Sequence, residues 1–156
     1  MFHLYPVALY GLEQEFRAVK FLRAVKLIEE VINGDEFKQW FLTQKFTQLG
    51  ELRFKDNDAL LEQLLNTVKF TYRIVSRPWY KRYSSVIGYS INGDITTYKD
   101  SYDKMSLAEF CGHLCHEALH VLDFSHSVKY SKERDDSVPY KVGNYIIGKV
   151  TDKLNG

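Results

Sequence analysis

Two cysteines and three prolines are all that this 156-residue chain contains of either, and neither sign of charge is in surplus. Each scarcity removes a class of protein. Cys111 and Cys115 cannot staple a disulfide scaffold, and their helical i, i+4 spacing fits a disulfide poorly, so both are expected to be reduced core residues. With no Pro- or Gly-rich linker, repeat or low-complexity tract, residues 1–156 read as a single domain. Twenty-one basic residues against twenty acidic ones give a formal net charge of +1, which argues against nucleic acid and against an anionic membrane as partners. No apolar run is long enough to span a bilayer. The start Met1-Phe2-His3-Leu4-Tyr5-Pro6 has no basic n-region of a signal peptide, so the expected compartment is cytoplasmic.

The chain is well supplied with core material, being 45% hydrophobic and 15% aromatic. Leu12, Phe16, Val19, Leu22, Val25, Ile28 and Ile32 recur every three or four positions, which predicts a long amphipathic helix closed by Asn33-Gly34. A second helix is expected over residues 36–46, burying Phe37, Trp40 and Phe41. A third is expected over 59–66 behind Asp58, burying Leu60, Leu61, Leu64 and Leu65. The period then changes to two. Val68, Phe70, Tyr72 and Ile74 alternate with polar residues as one strand, and residues 84–91 and 94–98 flank Asn92-Gly93 as a hairpin. A last helix over 141–154 turns Val142, Tyr145, Ile146 and Val150 inward. The expected class is α+β: N-terminal helices, a small mixed or antiparallel sheet of about three strands packed on a central helix, and a C-terminal helix.

That central helix carries the chemistry. Ser106-Leu107-Ala108-Glu109 is a capping-box pattern, and the helix it opens contains His116-Glu117-Ala118-Leu119-His120, the short zinc-peptidase signature HExxH. Positions i and i+4 project from one helical face about a turn apart, so His116 and His120 can grip one ion, with Glu117 beside it to take a proton from water. His126 follows six residues after His120 and completes HEALHVLDFSH, a third candidate ligand. Glu133, in a charged loop over residues 127–137, is a competing third ligand of the kind a second-helix glutamate supplies elsewhere. His113 is about 10 Å along the helix from His120, too far to share its ion, and reads as a histidine behind the ligands or at the core edge. His3 has no partner in the sequence.

The stretch from 86 to 143 resembles the compact zincin-like metallopeptidases often encoded by bacteriophages. In these an HExxHxxGxxH helix and turn are followed by an arginine and a Ser-Val-Pro-Tyr segment ending in glycine, here Arg134, Ser137-Val138-Pro139-Tyr140 and Gly143. The resemblance implies a zincin-like fold, a Zn²⁺ site made of His116, His120 and His126, and peptidase activity on a peptide or protein substrate. Two departures mark this chain. No methionine follows His126, so the methionine turn of the metzincins has no counterpart, and Asp123 replaces the turn glycine.

On this reading Glu117 is the general base, and Tyr140, held by Pro139, is a neutral donor for the charge that develops on the substrate oxygen. A catalytically silent zincin module with a stabilising zinc is the alternative. The hairpin around Asn92 is the candidate edge against which an extended peptide would pair. Asp123 is expected to adopt a positive φ and stop the helix so that His126 can turn back to the metal. Oligomeric state is left open.

Overall fold

The change of period at the start of the alternating stretch marks where the chain enters the middle of its sheet. In the computed structural model, which describes residues 1–156, strand β1 (His3–Tyr10) leads into helices α1 (Glu15–Asn33), α2 (Asp35–Thr43) and α3 (Asn57–Leu64). Strand β2 (Thr67–Val75), strands β3 (Gly88–Ile91) and β4 (Asp94–Tyr98), and helix α4 (Lys99–Lys104) follow. The chain closes with α5 (Leu107–Val121), α6 (Lys132–Asp135) and α7 (Val138–Asn155). The class is α+β, with a four-stranded mixed sheet in the order β1-β2-β4-β3. Strand β2 pairs parallel with both β1 and β4, and β3 pairs antiparallel with β4 through the Asn92-Gly93 turn.

The alternation in β2 buries Val68, Phe70, Tyr72 and Ile74, as expected for a strand with one covered face. Their cover is α1 and α5, with Phe21, Tyr72, Tyr102 and Phe110 meeting as tilted and edge-on rings. Helix α5 lies between the sheet and α7. It crosses α7 where two glycines face each other: a Cβ on Gly112 would come within 2.9 Å of the Gly143 carbonyl oxygen. Only glycine permits that approach, and it brings the first turn of α7 against the side of α5 that bears His116. No helix is long and apolar enough to cross a membrane.

Several sequence expectations are corrected. There are four strands, because residues 3–10 form β1. Pro6 and the register shift between Pro6 and Ala8 break the alternation that would have announced it. The buried face of α1 is Arg17, Phe21, Ala24, Ile28, Val31 and Ile32, whereas Phe16, Val19 and Leu22 are exposed. Arg17 turns inward because its guanidinium bonds both oxygens of Asp103 on α4, at 2.9 and 2.8 Å. The cap of α3 is Asp56, whose side chain accepts from the Ala59 N–H, and α2 stops at Thr43. The last helix starts earlier than expected, α7 beginning at Val138, so Pro139 and Tyr140 lie in its first turn, while α6 is a single helical turn within the charged stretch 127–137. His3 does find a partner, Glu29, at 2.7 Å.

Candidate metal centre

Helix α5 is set by local chemistry at both ends. At its start the Ser106 hydroxyl accepts from the Glu109 N–H, and the Glu109 carboxylate accepts from the Ser106 N–H, completing the expected capping box. At its end the Phe124 N–H bonds the Leu119 carbonyl and the Asp123 N–H bonds the His120 carbonyl. These two bonds form a Schellman motif. Asp123 holds the left-handed position at φ 67°, as its place at the turn glycine led us to expect. Phe124 and Leu119 are both buried and anchor the reversal.

This turn brings the three sequence-predicted histidines together. Their ligand atoms all lie within 4.8 Å of one another. The Nε2 of His116 is 3.1 Å from that of His126 and 3.2 Å from that of His120. Zinc–nitrogen bonds of about 2.0–2.1 Å at tetrahedral angles would place the nitrogens about 3.3 Å apart, so the spacing already suits one small cation. Glu133 sits exposed on α6 and is not among the converging groups.

The outer ring nitrogens explain why the inner ones converge. His120 Nδ1 is 2.7 Å from the Phe124 carbonyl and His126 Nδ1 is 3.0 Å from the Ser127 carbonyl. A carbonyl only accepts, so each Nδ1 carries the proton and each Nε2 presents a lone pair. Burial holds His116 well below the ordinary histidine pKa, assisted by the neighbouring histidines, and burial also lowers His120. The Pro139 backbone lies beside His116 and opposes the lowering of its pKa. Three imidazoles with Nε2 atoms facing inward could hold a metal ion, and two of them are oriented from behind by backbone oxygens.

Glu117 is buried, and desolvation pushes its carboxyl up to about 7. It makes no hydrogen bond with another protein group. Tyr140 stands over the cluster, its ring centroid 4.6 Å from that of His116 and 4.7 Å from that of His126. Burial raises its pKa while Arg134 opposes the shift. The Arg134 guanidinium lies 4.5 Å from the Tyr140 ring centroid and 4.1 Å from that of Tyr130. Tyr130 reaches across to Ser85, at 3.4 Å between hydroxyls, so the segment after His126 touches the segment before β3. Cys111 and Cys115 are free and buried in the core.

The sequence reading placed His113 behind the ligands or at the core edge but did not name Thr97 as its neighbour. His113 proves to be buried, with Nε2 3.0 Å from the Thr97 hydroxyl and Nδ1 3.8 Å from Glu117 Oε1. Thr97 in turn accepts from the Tyr72 phenol at 3.0 Å. His113 lies one helical turn before Glu117, a visible signal, but Thr97 and Tyr72 come from other strands and leave no local mark. Comparison with protein-family models, with curated proteins and with solved structures finds no match to this chain.

Proposed function

We propose that the protein is a zincin-like, zinc-dependent metallopeptidase. The observation that carries this reading is the pairing of two features on one helix. Three Nε2 atoms converge, with His116 3.1 and 3.2 Å from the other two, the imidazoles of His120 and His126 are bonded outward to backbone carbonyls, and a buried carboxylate follows His116. Zinc is the metal we assign, since three neutral imidazoles in a compact cluster suit its tetrahedral preference and leave a position open. Bound there, it supplies Lewis acidity and makes water acidic near neutral pH.

The chain's own groups do the rest. Glu117, held above the ordinary carboxylate range by burial, is matched to accept a proton from the attacking water near pH 7 and to return it to the leaving amine. The Tyr140 hydroxyl has no protein partner and is free to donate to the oxyanion that develops on the substrate carbonyl. Strand β3 offers a free edge on the helix side of the sheet, where an extended peptide adds as a further strand. Exposed Trp79, Tyr80 and Tyr83 in the segment before β3, and Val128 and Tyr130 in the segment after His126, would supply apolar contact for its side chains.

Metal analysis joined to a diverse peptide library tests the reading. The expected result is about one zinc per chain, cleavage by the wild type, and retained zinc with lost cleavage in Glu117→Gln, which keeps the size and removes the base. A wild type that holds zinc with no open position and cleaves nothing would instead establish a stabilising metal in a silent module.

A further inference from the structure

Beside the three ligand histidines lies a second polar system that the proposed chemistry has not used. His113 is buried on α5 with only 4% of its side chain exposed, one turn before Glu117. Its ring is bounded on the sheet side by Thr97 of β4 and by Gly88 of β3. A Cβ at residue 88 would lie 2.7 Å from His113 Nε2 and 2.8 Å from Cε1, so the edge strand can close over the imidazole only with glycine there.

The hydroxyls of this system have one arrangement that satisfies both of their hydrogens. The Tyr72 phenol is fully buried and its sole partner is the Thr97 hydroxyl, so it must donate there. Thr97, having accepted, has its own hydrogen left, and its other partner is His113 Nε2. Nε2 therefore accepts. In a neutral imidazole the proton then sits on Nδ1, which faces Glu117 Oε1 at 3.8 Å. The reverse direction would bury an unsatisfied hydroxyl hydrogen, at a cost of about 1–3 kcal/mol. Burial keeps His113 neutral, lowering its pKa to about 4.

We propose that His113 is a positioning residue for Glu117. Its Nδ1–H, fixed in that tautomer by the hydroxyl chain from Tyr72 through Thr97, holds the carboxylate in the orientation from which it takes its proton. This role rests on the peptidase reading. The present 3.8 Å separation exceeds a hydrogen bond; in the proposed role it shortens when substrate enters, as catalytic contacts often do. Glu117 has no other protein partner, so nothing competes for its oxygen. A histidine that merely filled space would need neither a relay to set its tautomer nor a donor aimed at the base.

Asparagine places its amide nitrogen near the Nδ1 position of histidine, and glutamine near Nε2. On the zinc-loaded protein, H113N is expected to retain kcat within about threefold, whereas H113Q and T97V lose roughly tenfold or more at unchanged KM and metal content. T97S, which keeps the hydroxyl, restores the rate. A ¹H–¹⁵N correlation spectrum of the imidazoles in the wild type should show His113 protonated on Nδ1. Protonation on Nε2, or rates that follow thermal stability whichever nitrogen is kept, would overturn the positioning role. Should the histidine variants fold poorly, the Thr97 pair and the spectrum still decide it. A wild type that cleaves no peptide refutes the peptidase reading, which is distinguishable from an active enzyme with the wrong tautomer.

Discussion

The two edges of the sheet are finished differently. On β1 the His3 N–H points toward β2, bonding the Asn66 carbonyl, so the neighbouring Phe2 and Leu4 groups face outward. Side chains of α1 seal them. Asn33 accepts from the Phe2 N–H and donates to the Phe2 carbonyl, each at 2.8 Å, and Glu29 accepts from the Leu4 N–H at 2.7 Å. Pro6 has no N–H to expose, and the register slips just after it. On β3, by contrast, the Ile87 carbonyl faces β4 and bonds the Tyr98 N–H, which leaves the backbone groups of Gly88 and Ser90 on the outer edge. Gly88 is buried against His113, but no side chain bonds these backbone groups. Natural sheets block their edges against stray pairing, so an edge left open beside a buried carboxylate and three convergent histidines is the one the proposed peptide would use.

Variants can break this contrast between a sealed structural edge and an open working one. The largest effect is expected on the open side, from Tyr140→Phe. Loss of the donor to the developing oxyanion should cost roughly 3 kcal/mol, about a hundredfold in kcat, with metal content and thermal stability unchanged. Steady-state kinetics checks it, and an unaltered rate would return Tyr140 to packing against His116 and His126.

Acid should act on the same side. His113, held near 4 in the fold against 6.5 in the unfolded chain, binds its proton more readily when unfolded. Its contribution to stability is therefore complete above about pH 6.5, falls as pH drops toward 4, and changes no further below that; the full difference is on the order of 3 kcal/mol. Glu117, raised to about 7, gains stability over pH 7 to 4.5 and opposes this loss, so in Glu117→Gln, where that opposition is absent, the amides of β3 and β4 should lose exchange protection over this window before those of β1, because β3 closes over the ring at Gly88. Corrected hydrogen exchange between pH 7 and 4 measures it, and uniform loss at both edges would count against the contrast.

At Asp123 the structural and functional effects should coincide. A β-branched residue at φ 67° is strained, so Asp123→Val should cost about 2 kcal/mol and reduce zinc content by displacing His126, while Asp123→Gly keeps both. Denaturation and metal analysis of the two variants distinguish strain from a role for the carboxylate.

The smallest effects come from the edges themselves. Asn33→Ala should destabilise by about 1–2 kcal/mol and leave kcat/KM alone. Ser90→Pro, which removes an outward N–H, should leave stability alone and raise KM several-fold, by the roughly 1 kcal/mol of one lost hydrogen bond. The converse pattern would invalidate the assignment of the two edges.

Much of the site was legible in the sequence because it is local. HEALHVLDFSH spans a helix and its cap, and the tolerance of aspartate for the left-handed region is a property of the residue. The capping box and the alternation in β2 were readable for the same reason. What escaped depends on distant partners. Strand β1 is recognisable only beside β2 and α1, since Pro6 and the slip at Val7 spoil its pattern. The inward turn of Arg17 needs Asp103, eighty-six positions away, and without it the apolar Phe16, Val19 and Leu22 pointed to the wrong face of α1. The setting of His113 needs Thr97 and Tyr72 from two strands. Periodicity reports which residues are apolar, and it is silent on which polar ones will find a partner.

The central claim is that three imidazoles hold one metal with a place left for water. X-ray absorption at the zinc edge of the loaded wild type tests it most directly. The account predicts three histidine nitrogens and one light oxygen at about 2.0–2.1 Å, with one imidazole lost in His126→Ala. A fourth protein ligand, a sulfur in the first shell, or a spectrum unchanged by His126→Ala would contradict it.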